Sequence, residues 1–342
     1  QTGRTGVHAL DKWTRIHADA ARDGRAFGLA MGDFTGDGFA DVVSGRWFYR
    51  NPGGAMTDPW ERSALPGEVD ALLVFDADLD NTPDVIAMNP AGEVLWIEPA
   101  DNRIAAWRCQ VIGRAGAADH GLSSQGALTA QLSPGGRPEV VINAGGLYYF
   151  AVPDLPAAGP WPRVRIAEQA YPEGVAAADV DGDGDVDLCG TSDGQTVVWW
   201  ANPGDGSADW PAHAVGAMPS RYADRFGAAD VNGDGRTDIV VSAANGAADG
   251  VYWWEQAPDG WTLHTVVRQG STNSMAVADL DNDGDPDIVA GEHRGGRRTA
   301  VWENDGTGRF IEHVVATGIE SHLGTRLADL DGDGDLDIVS IA

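Results

Sequence analysis

Six segments of nine residues place oxygen-bearing side chains at positions 1, 3, 5 and 9, and glycine lies between them in all but residues 76–84. Residues 179–187 read DVDGDGDVD, and residues 329–337 read DLDGDGDLD. Calcium takes about six to eight oxygen ligands, and alternate carboxylates in a tight loop direct their oxygens to one point. Glycine adopts the positive φ that such a turn requires. Six copies in one register predict cation-binding loops rather than ordinary Asp/Gly turns.

The predicted ligands are the side chains at positions 1, 3, 5 and 9 of each loop. They are Asp33, Thr35, Asp37 and Asp41; Asp76, Asp78, Asp80 and Asp84; Asp179, Asp181, Asp183 and Asp187; Asp230, Asn232, Asp234 and Asp238; Asp279, Asp281, Asp283 and Asp287; and Asp329, Asp331, Asp333 and Asp337. A seventh segment, residues 131–139 (QLSPGGRPE), has lost the first three carboxylates, so we expect it to hold no ion. The sequence thus predicts up to six structural Ca²⁺ ions.

A second group of candidate residues combines histidine, tyrosine and arginine outside the acidic loops. It consists of His120, Tyr171, Arg221, Tyr222, Arg225, His293, Arg294 and His322. These residue types suit β-elimination next to a uronate, because arginine neutralises the sugar carboxylate and thereby acidifies the adjacent C–H. A histidine or tyrosine then removes that proton, and another group protonates the leaving oxygen.

Within this group the predicted roles differ. His120 and His293 are the leading candidates for base and acid, and Tyr222 is the alternative. Arg221, Arg225 and Arg294 would grip the carboxylate, and His322 would position the substrate.

The elements that carry these residues repeat along the chain. The acidic segments begin 43 to 55 residues apart, a spacing typical of one propeller blade. In each repeat, short apolar runs flank the acidic loop, then an aromatic run and an outer run follow, all separated by Gly, Asn, Asp or Pro. Four strands per repeat and seven repeats predict an all-β, seven-bladed β-propeller with four-stranded antiparallel blades. The second group of residues then lies in loops at the end opposite the acidic loops.

The chain ends support a closed ring. Residues 6–18 resemble a third and an outer strand, and the last repeat (residues 322–342) provides only the first two. Pairing of these segments would close the ring and remove exposed strand edges. We therefore expect one domain over residues 1–342 and a monomer.

The acidic loops resemble the FG-GAP or VCBS-type calcium repeats of integrin-like propellers and of secreted bacterial and fungal proteins. The resemblance covers essentially the whole chain. It implies that the ions are structural and lie away from the reactive face. In blade number, calcium loops and His/Tyr/Arg content the chain also looks similar to secreted propeller polysaccharide lyases, with propeller lectins as the next nearest group.

Several functions remain open at this point. The loops opposite the acidic segments differ from repeat to repeat, which favours one asymmetric site and hence a carbon–oxygen lyase that acts on an acidic oligo- or polysaccharide. A glycan-binding lectin or an adhesion module is the alternative. Glu173, Glu292 and Glu320 could instead serve hydrolysis, and His120, His293, His322 and Glu292 are residue types that bind catalytic metals.

Composition narrows the class of partner. The formal net charge of −29 disfavours a nucleic-acid partner, and no apolar run is long enough to span a bilayer. A hydrophobic content of 43% provides for a large core.

Cys109 and Cys189 fall in different repeats, so we expect two buried free thiols. The chain starts at Gln1 without an apolar leader, which is typical of a mature secreted protein or of a trimmed chain. We predict a secreted, extracellular protein.

Overall fold

The structure, a computed structural model, describes residues 9–20, 26–101, 104–116, 126–319, 321 and 324–341. Six sheets have four strands each and a last sheet has two. In every sheet the strands follow chain order, and neighbours pair antiparallel. The described residues include one 3₁₀ turn, Pro156–Ala158, and no helix with the length and apolarity to cross a membrane. The chain is therefore an all-β propeller.

The sheets are named blades 1 to 6 and the two-stranded sheet. Their strands are β1 (Leu29–Gly32), β2 (Asp41–Ser44), β3 (Trp47–Arg50) and β4 (Glu61–Ala64); β5 (Asp70–Phe75), β6 (Asp84–Met88), β7 (Glu93–Pro99) and β8 (Trp107–Arg114); β9 (Gly126–Ala130), β10 (Glu139–Asn143), β11 (Leu147–Phe150) and β12 (Arg163–Ala167); β13 (Ala176–Ala178), β14 (Asp187–Thr191), β15 (Thr196–Trp200) and β16 (Ala212–Ala217); β17 (Tyr222–Ala229), β18 (Asp238–Ala244), β19 (Gly250–Ala257) and β20 (Gly260–Arg268); β21 (Thr272–Ala278), β22 (Asp287–Glu292), β23 (Arg298–Asn304) and β24 (Phe310–Thr317); and β25 (Thr325–Ala328) with β26 (Asp337–Ser340).

The burial of each strand follows its place in the blade. The second strands of all six blades, such as β6 and β18, are buried along their whole length. Third strands bring large aromatic rings to the interfaces between blades, and Trp199 and Trp253 stack on His213 and His264 of the outer strands at 4.4 Å. His213 and His264 therefore pack against tryptophan, which is a structural role.

The core consists of clusters between neighbouring sheets. Met88 and Trp96 of blade 2, for example, pack with Ile142 and Phe150 of blade 3. Near the central channel the first strands approach closely. A Cβ on Gly28 would lie only 1.4 Å from the carbonyl oxygen of Ala71 in the next blade. Glycine is thus required there by backbone contact rather than by φ.

The prediction of seven four-stranded blades is wrong in number, since the described residues form six. The last repeat forms only β25 and β26, which lie between blade 6 and blade 1: β25 contacts β21 and β1, and Asn51 donates to the carbonyl of Leu330 at 2.8 Å. Unlike the other second strands, β26 is only partly buried. Its outer edge pairs with no strand in the described part of the chain.

Closure by N-terminal strands is not confirmed. Residues 9–20 contain no strand, although Leu10 and Trp13 pack in a cluster with Ile338, and Ile16 packs in a cluster with Val339. The remaining residues of the predicted pairing, 6–8, 322–323 and 342, lie outside the described residues. Within residues 9–20 apolar contact with the last sheet is therefore found in place of the expected strands.

The cysteine prediction is partly wrong. Both thiols are free, and Cys189 is buried in β14 as expected. Cys109 is exposed, because the outer strand β8 lies at the edge of its blade and only Ile112 among its residues is buried.

Candidate functional site

Antiparallel pairing gives the ring two ends with different residues. The loops between first and second strands, which carry the acidic segments, lie at one end, here called the acidic end. The loops that enter the first strands and those between second and third strands lie at the other, here called the open end. The two predicted groups of functional residues are therefore separated by the length of the strands.

In blade 4 the acidic loop is shaped by its own carboxylates. Asp179 accepts hydrogen bonds from the amides of Gly182 at 2.8 Å and Gly184 at 3.0 Å. Asp181 accepts one from the amide of Asp183 at 3.2 Å. Such Asx-type turns hold short acidic side chains against their own backbone. Carboxylate oxygens of Asp179, Asp181 and Asp187 consequently lie within 4.8 Å of one another.

The same convergence occurs in four of the loops. Its members in the other three are Asp76, Asp78 and Asp84; Asp279, Asp281 and Asp287; and Asp329, Asp331 and Asp333. These donor sets fit a hard cation such as Ca²⁺. A bound cation would offset the mutual repulsion of the carboxylates and cross-link the two ends of each loop.

Blade 2 adds an acidic residue that sequence analysis missed. Glu98 in β7 groups with Asp78 and Asp80 within the same 4.8 Å limit. Glu255 in β19 lies in a comparable place, because it accepts a hydrogen bond from Asn232 of its blade's loop at 3.1 Å. Both glutamates lie two residues after a third-strand tryptophan. That recurring spacing was the available signal.

The predicted ligands in blades 1 and 5 do not converge in this way within the described chain. In blade 5 the guanidinium of Arg236 pairs with Asp234, and Asn232 turns an N–H toward the same carboxylate at 3.3 Å. In blade 1 Arg50 lies 3.8 Å from Asp37. A side-chain cation or amide thus already faces the acidic oxygens of both loops.

The seventh loop, in blade 3, has the amide side chain of Gln131 at the position where the other six loops have their first aspartate. The Gln131 amide donates to the carbonyls of Ser133 at 2.6 Å and Gly135 at 3.0 Å. The side-chain amide thus bonds two backbone carbonyls of its own loop. The residues of this loop do not fit a cation, and its lack of an ion stays a prediction.

Position 9 has a role beyond the predicted one. Asp187 is 1% exposed and accepts hydrogen bonds from the amides of Val180 at 2.9 Å and Asn202 at 2.7 Å. Glu139 keeps the contact to Leu132 at 2.8 Å in the loop that lost its other carboxylates. Burial raises the pKa of Asp84 to about 7 and that of Asp287 to about 6. The ninth carboxylate therefore anchors the loop to the core, with or without an ion.

At the open end a cleft of about 510 Å³ lies between blades 5 and 6. Four loops form it: those entering β17 and β21, and those between β18 and β19 and between β22 and β23. Its lining consists of Arg221, Tyr222, Asn245, Gly246, Asp249, Gly270, Ser271, Arg294 and Gly295. Three predicted site residues, Arg221, Tyr222 and Arg294, thus meet in one cleft.

The cleft is lined by two arginines, a tyrosine and polar residues that are held by hydrogen bonds. Arg221 and Arg294 are exposed, and the guanidinium of Arg221 lies 5.0 Å from the ring centroid of Tyr222. Arg294 donates to Asn245 at 3.2 Å. Asp249 accepts from the Ser220 hydroxyl at 2.6 Å and from the Gly246 amide at 2.7 Å.

Tyr171 belongs to the neighbouring blade and extends the aromatic surface. It stacks on Tyr222 with centroids 5.7 Å apart and planes 20° from parallel. The predicted tyrosines therefore come together, although they are far apart in sequence.

Arg225 lies away from the cleft lining. Its side chain is 7% exposed and forms ion pairs with Asp224 at 2.6 Å and Glu173 at 3.3 Å. Asn273 donates to Asp224 at 2.6 Å, and Ser271 donates to Asn273 at 2.8 Å. A buried polar chain thus runs from Arg225 to Ser271 in the cleft wall.

The remaining predicted residues are placed as follows. His293 is half-buried beside the cleft, and its amide donates to the carbonyl of Ser271 at 2.8 Å. Glu292 is buried and accepts from the amides of Gly270 at 3.0 Å and Arg298 at 3.2 Å. His120, His322 and Glu320 lie outside the described residues. Asn245, Asp249 and Ser271 were missed, because no local pattern distinguishes them from other loop residues.

Comparisons with known proteins agree with the fold. The FG-GAP-like repeat family matches residues 179–241, 230–290 and 279–340, together a little under half of the chain. A crystal structure of BBS1N in complex with ARL6DN, soaked with lead, is similar with a TM-score of 0.60 and 11% identity. The match covers 94% of each chain, and at that identity it shows the fold alone. No curated protein matches significantly.

Because 268 chains of solved structures match, the fold by itself selects no function. The antiparallel blades, the structural match and the repeat match lead to one conclusion: the protein is a β-propeller, and its residues 179–340 are similar to FG-GAP-like repeats.

Proposed function

We propose that this protein binds an acidic carbohydrate in the open-end cleft. The observation that carries the proposal is the pairing of two exposed arginines, Arg221 and Arg294, with Tyr222 in one cleft of a chain whose net charge is −29. Guanidinium groups bind carboxylates through paired hydrogen bonds. A locally cationic cleft on an acidic protein selects a compact anion and repels a long polyanion such as a nucleic acid.

The other lining residues suit a sugar. Asn245, Asp249 and Ser271 offer donors and acceptors for hydroxyl groups. The stacked rings of Tyr171 and Tyr222 offer apolar faces that end in hydroxyls. A carboxylate-bearing sugar such as a uronate matches both halves of this lining.

A second candidate function, β-elimination, is favoured by the position of Tyr222 inside the cleft. With the uronate carboxylate held by arginine, Tyr222 would act as the base: once its phenolic proton has passed to solvent, its oxygen would take the proton from the carbon that bears the carboxylate. The electron pair of that C–H bond would form the C=C bond, and the adjacent C–O bond would break. A second acid, for which His293 is the nearest predicted residue, would protonate the leaving oxygen.

The test is calorimetric titration with uronate oligosaccharides, together with ultraviolet detection of an unsaturated uronate product. Arg221→Met and Arg294→Met should each weaken binding on the order of tenfold or more, since a hydrogen bond to a charged group contributes about 1.5–3 kcal/mol. Arg163→Met is the matched control, because Arg163 also lies over a tyrosine ring, 4.7 Å from the centroid of Tyr148, outside the cleft.

Tyr222→Phe separates the two functions. For a lyase it should abolish product formation while binding persists, and for a lectin it should leave binding little changed with no product from either protein. Equal affinities of wild type and both arginine variants for every uronate tested would refute the cleft assignment.

Calcium in the four loops with converging carboxylates belongs to this proposal as a structural cofactor. The ions would stiffen the acidic end and take no part in binding the sugar. A protein that depends on calcium suits a calcium-rich compartment, which is why an extracellular location stays our prediction.

A further inference from the structure

Arg326 breaks a pattern that every complete blade keeps. Strand register pairs it with Val339, and the residues in the same register of the six blades are Ala30, Leu73, Leu128, Ala176, Gly227 and Ala276. All six are apolar and lie on the first strands, which surround the central channel. A charged side chain in this position therefore departs from the apolar pattern of the other first strands.

The guanidinium of Arg326 has little to neutralise it. It donates to the carbonyl of Thr325 at 3.0 Å and has no ion pair with any residue that the structure describes. Arginine stays charged in proteins and presents five N–H donors. A half-buried guanidinium with one neutral acceptor is therefore undercompensated.

The charge of a second arginine acts on Arg326. Arg225, from the first strand of blade 5, forms ion pairs with Asp224 and Glu173. Asp224 also accepts a hydrogen bond from Asn273, so these two carboxylates already interact with other groups. Burial, followed by the positive charge of Arg225, lowers the pKa of Arg326 to about 10. The local field around Arg326 thus lacks a negative charge of its own.

We propose that the central channel contains an oxyanion-binding site whose principal ligand-binding residue is Arg326. The ligand class is a small carboxylate or phosphate, because a planar guanidinium matches two oxygens of either group. Such an anion would supply the missing acceptors and the missing charge in one step. This site is distinct from the open-end cleft and does not rest on the proposed carbohydrate function.

The experiment measures the Tm of the full chain in acetate, phosphate or chloride at fixed ionic strength, without carbohydrate. At about ten times its Kd the preferred oxyanion should raise the Tm of the wild type by roughly 2 °C or more relative to chloride. Arg326→Met should remove that rise. Arg309→Met, at an exposed turn residue, should keep it, as should the double variant R221M/R294M of the cleft.

The rank of acetate against phosphate identifies which oxyanion the site prefers. Equal effects of all three anions, or an undiminished rise in Arg326→Met, would show general salt screening and overturn the site. If Arg326→Met does not fold, Arg326→Lys replaces it. Lysine keeps the charge but loses the paired geometry, so its rise should fall by at least half, and an unchanged rise would again contradict the proposal.

Discussion

The loop of blade 3 (residues 131–139) and the loop of blade 4 (residues 179–187) share an anchor and differ at the centre. In both, the ninth carboxylate accepts the amide of the second residue, Leu132 at 2.8 Å and Val180 at 2.9 Å. At the centre, blade 4 directs carboxylates toward one point, whereas blade 3 places the Gln131 amide against two carbonyls. Position 9 anchors the loop to the core, whereas positions 1, 3 and 5 decide whether a cation or a side-chain amide can occupy the centre of the turn.

Removal of calcium should have the largest effect, and it should separate the two loops. A site with calcium at about 100 times its Kd contributes about 2.7 kcal/mol, so emptying one site should lower the Tm of a chain of this length by roughly 4 °C. Calorimetry in excess chelator measures the total. Hydrogen exchange should speed up in residues 179–187 and stay constant in residues 131–139.

Two outcomes would break this comparison. An unchanged Tm in chelator would remove calcium from the acidic end. Equal acceleration of exchange in both loops would mean that the Gln131 amide does not replace an ion.

Loss of the ninth carboxylate should have the next largest effect. It should lower the stability of the protein by a similar amount in either loop. Asp187→Ala leaves the buried amides of Val180 and Asn202 without acceptors, at about 1–3 kcal/mol each. Glu139→Ala should cost a similar amount for the amide of Leu132. Urea unfolding in chelator measures both, and Asp154→Ala, an exposed control, should change stability by less than about 0.5 kcal/mol. A loss that appears only with calcium present would contradict the anchoring role.

Substitution of Gln131 should give the smallest effect. Gln131→Ala removes two hydrogen bonds of an exposed side chain, so we expect a loss on the order of 1 kcal/mol. The loss should be the same with calcium and with chelator, as judged by urea midpoints. A larger loss in calcium would indicate that this loop also holds an ion.

Much of the fold was predictable because its pattern is local. The alternation of apolar runs and Asp/Gly turns predicts strands and loops, and each blade repeats it. The number of blades was predicted wrongly, since residues 9–20 pack through Leu10 and Trp13 without forming the expected strands. Sequence similarity to a strand does not specify whether a ladder partner is in register.

The open-end site was only partly predictable. Residue types, together with their predicted place in loops opposite the acidic segments, selected Arg221, Tyr222 and Arg294, which the structure brings to one cleft. The same reasoning assigned Arg225 to a substrate carboxylate, whereas its side chain is buried against Asp224 and Glu173. The loops that meet in a cleft depend on contacts between blades, and these contacts join residues about 50 positions apart.

The sequence by itself determined the all-β repeat, the carboxylate loops and the loss of the cation-binding residues from residues 131–139, because each depends on neighbours within one blade. Tertiary structure alone decided which carboxylates converge, which arginines stay exposed and that Arg326 faces no counter-charge among the described residues. The physical reason is that charge and burial depend on the summed positions of distant groups, whereas turns and strands depend mainly on local backbone geometry.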